Sequence, residues 1–421
     1  MVKRIFSKDL YVSNQKLFDK YRNFQTKQEE IIDFDHASLA RPFKEVFEKI
    51  NKSKKLKKEL YKLENKARER LCSLVGIKDI HKIIFGRNTT EALSFVFWLA
   101  DVEKGNVILP DSENESIIRI FKEHRDHGNT NRKDRWSTFP DKIISEKFRG
   151  FNNRKKTGIK IKIAKFLKNF EINKILKLID EKTKLILVSH VVRNNGKIID
   201  IIKLAKQIKK KNPKTFIAID GAQALGNLKC ADFNELEKNG IDFYAATPHK
   251  TLGSYPLGIL FISERMKGNM SNLKNKSPLE QIIMSGMISK KFKIKPNMNI
   301  RINPLRFLSI ITAIDTIRKK GFNKGKFFSE KIKFLLKLKK EFVQKIKDHN
   351  FDLIKISPQS PAIISFRISH KNNRKIVASL EKKGIFCSYL SETDNIRVSL
   401  DITNKPEEIE KFFSALCSLL H

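Results

Sequence analysis

Between residues 82 and 263 short apolar runs alternate with helix-patterned stretches, and this alternation restricts the fold more than any other feature of the chain. KIIFG (82–86), NVILP (106–110), KLILVSHV (184–191), TFIAID (215–220), DFYAAT (242–247) and GILFIS (258–263) read as strands. Residues 90–99, 117–124, 172–179, 201–209 and 233–237 read as helices among them. Strands this apolar have no polar face to give to water, so they belong in a sheet covered on both sides. The expected architecture is α/β, with a mostly parallel central sheet and helices on both faces.

From about residue 305 the pattern changes. Helical stretches at 304–320 and 327–349 lead to strand candidates at 362–368, 385–390 and 395–400, with helices at 371–383 and 405–420. That is the outline of a small α+β domain. The reading divides the chain into a polar N-terminal arm (1–30) packing with the small domain, a large domain (31–290) and the small domain (291–421). Within the large domain, 40–75 carries helix-period apolar positions, and 125–158 is polar, basic and rich in turn formers, as an insertion would be.

Composition bounds the function classes. The chain has 421 residues, 40% of them hydrophobic and 31 of them Phe, enough for a sizeable core and too much for a disordered chain. No apolar run reaches the roughly 18 residues of a membrane span, and the start MVKRIFSKDL lacks the apolar stretch of a secretory signal. Cys72, Cys230, Cys387 and Cys417 make no C-x-x-C pair, so no metal site is assigned and they read as free thiols of a reducing, cytoplasmic setting. The formal net charge of +40 has two explanations, a polyanion-binding surface or the compositional drift of an AT-rich genome. Under either, nonspecific, salt-sensitive binding to nucleic acid is expected.

Four segments carry chemical weight, each beside a commoner explanation. In FGRNTTEAL (85–93), Asn88, Thr89 and Thr90 follow a strand and open a helix, a ready phosphate site or an ordinary N-cap. In AIDGAQALG (218–226), Asp220 ends a strand, where it could face a ligand's cationic nitrogen or simply form a solvated Asp-Gly turn. In DFYAATPHKTLGSYPLG (242–258), Lys250 follows a strand end, where a lowered pKa would make it a Schiff-base former, although the chain is full of ordinary lysines. In NIRVSLD (395–401), Arg397 could clamp a carboxylate or lie on the face of a strand.

In this order the segments resemble the class V family of pyridoxal-phosphate-dependent enzymes, the group of cysteine desulfurases, selenocysteine lyases, kynureninases, isopenicillin N epimerases and several aminotransferases. RNTTE (87–91) is similar to the family's phosphate-binding turn, SHVVRNNG (189–196) to its S-H-V segment, DGAQALG (220–226) to D-x-A-Q-x-x-G, and Asp242 with TPHK (247–250) to D-F-x-x-x-x-x-H-K. IDFDHASLARP (32–42) resembles the family's opening segment. The resemblance implies the fold type I of pyridoxal-phosphate transferases, a homodimer, and pyridoxal 5'-phosphate as the cofactor. Lys250 would hold it as an internal aldimine, Asp220 would pair with its ring nitrogen and Gln223 would donate to its phenolic oxygen. Thr89, Thr90, Thr247, His249 and the Asn88 backbone would hold the phosphate. Asn114 would lie at the ring, and Arg397 and His36 at the substrate.

Three departures modify that expectation. Asn114 stands where the family stacks an aromatic, and Arg193 where it usually has Asn. The loop that presents the nucleophilic cysteine of desulfurases is missing from GIFCSYLSETDNIRVSL, where Cys387 falls within a strand. The reading is therefore an enzyme acting on an amino acid or amine, with transamination placed first and β-elimination or a desulfurase-like lyase step next. Two alternatives stay open: a degenerate cofactor-binding scaffold for a partner protein, and a basic nucleic-acid-binding protein using the insertion.

Overall fold

A computed structural model describes residues 31–40, 42–53, 60–100, 102, 104–118, 158–166, 171–228, 232–266, 302–319, 324–354 and 359–420. The arm at 1–30 and all but the last residue of the 125–158 stretch lie outside them. Strand β1 (Ile32–Asp33) precedes helices α1 (Lys44–Asn51) and α2 (Leu60–Val75). There follow β2 (Ile83–Gly86), α3 (Thr89–Leu99), β3 (Lys104–Pro110), β4 (Gly158–Ala164), α4 (Ile172–Leu176), β5 (Thr183–Ser189) and α5 (Ile201–Lys211). Next come β6 (Phe216–Asp220), α6 (Phe233–Lys238), β7 (Phe243–Ala246), β8 (Gly258–Ile262), α7 (Pro304–Lys319) and α8 (Lys324–Asp348). The last elements are β9 (Asp352–Leu353), β10 (Ile363–Arg367), α9 (Asn373–Lys382), β11 (Ile385–Phe386), β12 (Ser388–Leu390), β13 (Asn395–Ser399) and α10 (Pro406–Leu420).

Seven strands form the large sheet in the order β2-β8-β7-β6-β5-β3-β4, and β8 alone runs antiparallel to its neighbours. Alternate residues of each strand feed two different cores. Leu185 and Leu187 of β5 join Phe95, Val96 and Leu99 of α3, while Ile186 and Val188 join Leu204 and Ile208 of α5 and Ile310 of α7. The helices follow from local chemistry. Apolar positions Ile201, Leu204, Ala205 and Ile208 recur at helical spacing along α5, the Asp200 side chain caps its start by accepting from Lys203 N–H, and three lysines end it where the helix dipole favours cations.

The second sheet, β12-β13-β10-β9, is antiparallel and packs on α8, α9 and α10. Its core is aromatic: Phe34 meets Phe342 and Phe412 edge-on at centroid distances of 5.7 and 5.6 Å. Phe34 follows β1, which pairs parallel with β11, and Asp35 bridges to Ser399. The segment from residue 32 thus starts in a two-stranded sheet with β11 beside the second sheet, and it then crosses toward the first, where Ala40 N–H donates to His249 O.

The strand and helix readings hold for most elements; apart from the two-residue strands β1 and β9, which were not expected, the differences are these. GIKIKIA (158–164) is an edge strand, β4, and was not expected as one. Lysines alternate with its isoleucines, which removes the continuous apolar run but suits an edge that must not pair further. The 385–390 run is two strands, because β11 pairs with β1 and β12 pairs with β13, and the chain changes partner at Cys387. Of the helix expected at 117–124, residues 115–118 are helical and the rest lies outside the described residues.

Candidate active site

The carboxyl ends of β3, β5, β6 and β7 open on one crevice, the usual ligand position of a parallel α/β sheet. Beyond Ala246, Thr247 leads into a short 3₁₀ turn, Pro248–Lys250, that places Lys250 over these ends. Burial drives the Lys250 amine down to about 8, with the Arg397 and Arg193 charges acting in the same direction and Asp220 and Asp35 opposing them. Asp220, at the end of β6, accepts from Ala222 N–H at 2.9 Å. Burial raises its pKa, and the Ala222 N–H and the Lys250 charge hold it back. A carboxylate so placed is stabilised by any cation that reaches it. Gly221 follows because the Tyr244 ring lies where a Cβ would stand, 2.2 Å from the nearest ring atom. The Tyr244 hydroxyl in turn meets His190 Nδ1 at 2.9 Å, and burial keeps that imidazole neutral, with a pKa lowered to about 4.

Gln223 is buried; its Nε2 donates to Ala37 O at 2.8 Å and its Oε1 has no partner. At the other side of the crevice the start of α3 supplies the amides of Thr89 and Thr90, for which the helix itself has no acceptor. Asn88 caps that helix by accepting from Glu91 N–H. The cap sits directly on the sheet: a Cβ on Gly258 would fall 2.0 Å from Asn88 O, so only glycine admits it. Thr247 Oγ1 donates to Leu257 O, so in its contact with His249 Nδ1 it accepts a hydrogen bond from the imidazole N–H. The remaining His249 nitrogen then carries a lone pair rather than a proton, and burial keeps the ring neutral. Arg306, in the first turn of α7, donates to Arg87 O and lies electrostatically close to His249.

The facing wall of the crevice is built by the second sheet. Arg397 lies on β13 with Ser388 and Ser365 as cross-strand partners, and these small residues leave room for its guanidinium. Its Nη2 donates to Asp35 Oδ1 and Ser38 Oγ at 3.1 Å each and to Ser388 Oγ at 2.8 Å, while Nη1 reaches Arg193 O at 3.4 Å. His36 is 1% exposed and neither ring nitrogen has a partner.

The structure therefore brings Lys250, Asp220, Gln223, Thr89, Thr90, Thr247, His249 and Arg397 around one crevice, with His36 on the segment that crosses it. Asn114 follows β3 at the same end of the sheet. Its side chain accepts from Ser116 N–H at 3.0 Å and caps the turn after β3. The neighbouring Glu113 is the residue turned inward: its two carboxylate oxygens accept from Ser189 N–H and Oγ at 2.7 Å each. Burial and the nearby Asp220 push the Glu113 carboxyl up to about 8. Glu113, Asp35 and Arg306 escaped the sequence reading, although Asp35 lies inside the quoted IDFDHASLARP. Cys387 is half-buried between β11 and β12 rather than carried on a loop, and desolvation and the Asp35 carboxylate push its thiol well above the ordinary range.

The set fits pyridoxal 5'-phosphate. Asp220 suits a cationic ring nitrogen, the orphaned Gln223 oxygen shows a buried polar position awaiting a partner, and the helix start held against Gly258 suits a dianion.

A family model described as Aminotransferase class-V matches residues 152–412. The chain is 26% identical to a probable cysteine desulfurase of Borreliella burgdorferi, over 98% of its own length and 95% of that protein's. It is 23% identical to a probable cysteine desulfurase of Mycoplasma genitalium, over 96% and 94%. Among solved structures, the cystine C-S lyase C-DES in complex with its reaction product cysteine persulfide matches at TM-score 0.70 and 17% identity, covering 92% of this chain and 97% of that one. A NifS-like protein matches at TM-score 0.67 and 18% identity, covering 93% and 99%. These likenesses bear out the α/β fold of pyridoxal-phosphate transferases.

Proposed function

Because the chain belongs to the class V aminotransferase family and takes pyridoxal 5'-phosphate as its cofactor, we propose that it is a carbon–sulfur lyase acting on a cysteine-type amino acid and releasing the sulfur into solution. One observation carries the choice. Where Arg397 is approached from β12, the connection is a tight turn at 391–394 that presents Glu392, and the nearby Cys387 is half-buried between β11 and β12 with its thiol pKa pushed up. No described thiol is offered to receive sulfur from the substrate. The relatives named above are carbon–sulfur enzymes, and this moves the reading from transamination, placed first by the sequence, to elimination.

Bound pyridoxal phosphate supplies an electron sink for the charge that develops at the substrate's α-carbon. Lys250 is the group that joins it and, once free, takes the α-proton, a task suited to an amine poised at about 8. The resulting ammonium returns a proton to the departing sulfur. Arg397 receives the α-carboxylate, for which Asp35 must give way. Thr89, Thr90 and Thr247 hold the phosphate, and the His249 ring stands beside it.

The same reading includes a homodimer and a cytoplasmic setting, supported by the family likeness and by the unpaired Cys72, Cys387 and Cys417. No helix among the described residues is long and apolar enough to cross a membrane. The test begins with the absorption spectrum of the protein loaded with pyridoxal phosphate, borohydride reduction, and mapping of the adduct to Lys250. Cysteine and cystine are then supplied. Pyruvate with sulfide or persulfide in solution supports the lyase. Alanine with sulfur on a protein cysteine, or amino transfer to a keto acid, sinks it.

A further inference from the structure

Two guanidiniums, not one, stand at the substrate side of the crevice. Arg193 lies in the turn that follows β5, and this turn docks on the second sheet: Ser365 Oγ donates to Asn194 O, Ser360 N–H to Gly196 O, and Arg397 Nη1 to Arg193 O. The Arg193 charge acts on Lys250, on Arg397 and on Glu113, which places it among the reacting groups rather than on a remote surface.

Each arginine holds a carboxylate of the chain itself. Arg397 is paired with Asp35, and Arg193 Nη2 with Glu392 Oε1 at 2.5 Å. The second pair is open to water, with side chains 29% and 42% exposed, and such a pair is weak and readily exchanged. The Nε atoms of both arginines are buried without a partner. The Arg193 charge is felt at Arg397, and like charges that feel one another are favoured when anions offset both. A substrate with one carboxylate can satisfy one arginine, whereas a substrate with two acidic groups satisfies both.

On this basis, and resting on the lyase reading above, we propose that Arg193 selects α-amino acids whose side chain ends in a second acidic group, a carboxylate or a sulfur oxyacid, and that Glu392 occupies its place until the substrate arrives. The α-carboxylate goes to Arg397 and the distal acid displaces Glu392 from Arg193. Elimination then proceeds as before: the α-proton passes to Lys250, the Cβ–Sγ bond breaks with its electron pair leaving on sulfur, and Lys250 returns the proton to the departing group, a thiol where the distal acid is a carboxylate and a sulfur oxyacid where it is the sulfur itself. The three-carbon remainder adds one water and falls to pyruvate and ammonia.

The test uses the full chain loaded with pyridoxal phosphate and two substrates of equal size that break the same bond, S-carboxymethyl-L-cysteine and its neutral amide S-carbamoylmethyl-L-cysteine. Pyruvate release is expected to favour the acid at least tenfold in kcat/KM, mostly through KM. Arg193→Met should bring the ratio close to one, Arg193→Lys should restore part of it, and Glu392→Gln should lower KM for the acid. Equal use of acid and amide by the unaltered enzyme, or an equal loss for both in Arg193→Met, overturns the proposal. If neither compound is cleaved, cysteine and cystine decide the lyase reading, which fails if they too give no pyruvate, and binding is read separately from the cofactor's absorbance with L-glutamate against L-glutamine. An acid preference lost in Arg193→Met then upholds the role of Arg193, and no preference removes it.

Discussion

The ionisation states of two side chains govern how this crevice behaves. Lys250 is poised at about 8, so its reactive neutral form is plentiful in mildly alkaline solution. The rate of pyridoxal phosphate attachment should rise with pH and level off above about 8, and in Lys250→Ala no borohydride-reducible adduct should form. Burial shifts Glu113 upward, where a paired carboxylate is shifted downward. In the cofactor-free fold it keeps its proton up to about 8, whereas in the unfolded chain it loses it near 4.5. Between those values the folded state binds the extra proton, so stability falls as pH rises through the window. Glu113→Gln should flatten this slope, as read from the difference in urea unfolding between pH 5 and pH 8. Lys250, Asp220 and Arg397 were legible because each stands at a strand end or on a strand within an ordered set of motifs. Glu113 was not, because a turn following β3 can direct either of two adjacent side chains inward, and only the cap made by Asn114 decides which.

At the scale of elements, the site depends on a close approach of backbone to backbone. Gly258 of β8 pairs with Gly86 of β2, and the start of α3 rests on the pair. Backbone cannot move aside as a side chain can, so Gly258→Ala should cost about 3 kcal/mol or more. It should also weaken pyridoxal phosphate binding more than tenfold, measured by fluorescence titration, because the Asn88–Thr90 turn is displaced. The central strands were readable as continuous apolar runs. The edge strand β4 was hidden by the lysines that protect it, and β1 and β9, two residues each, are too short to leave any pattern.

At the scale of the whole molecule, one buried cation ties the sheets together. Lys331 of α8, fully buried, stands 2.7 Å from Asp401 beyond β13 and donates to Thr251 O, next to Lys250. Lys331→Met leaves Asp401 buried and unpaired, and should cost about 3–5 kcal/mol by thermal or urea unfolding. Replacing Asp401 by Leu as well should recover much of that loss. The charge of +40 acts on the same scale, and retention on a polyanion column should fall steeply with added salt. Neither the buried pair nor the crossing of the 35–40 segment was visible in the sequence, since the partners lie far apart along the chain and carry no local signature.

The ion pair between Asp35 and Arg397 spans 362 residues. During synthesis at about 5–20 residues per second, roughly 20 to 70 s separate the appearance of its two halves on the ribosome. Everything assigned to the cofactor, from Asn88 to Lys250, emerges before Arg397 does. The growing polypeptide is thus equipped to be charged with pyridoxal phosphate before it is equipped to grip an amino acid, and the last part of the machine to be made is the part that lets it turn over.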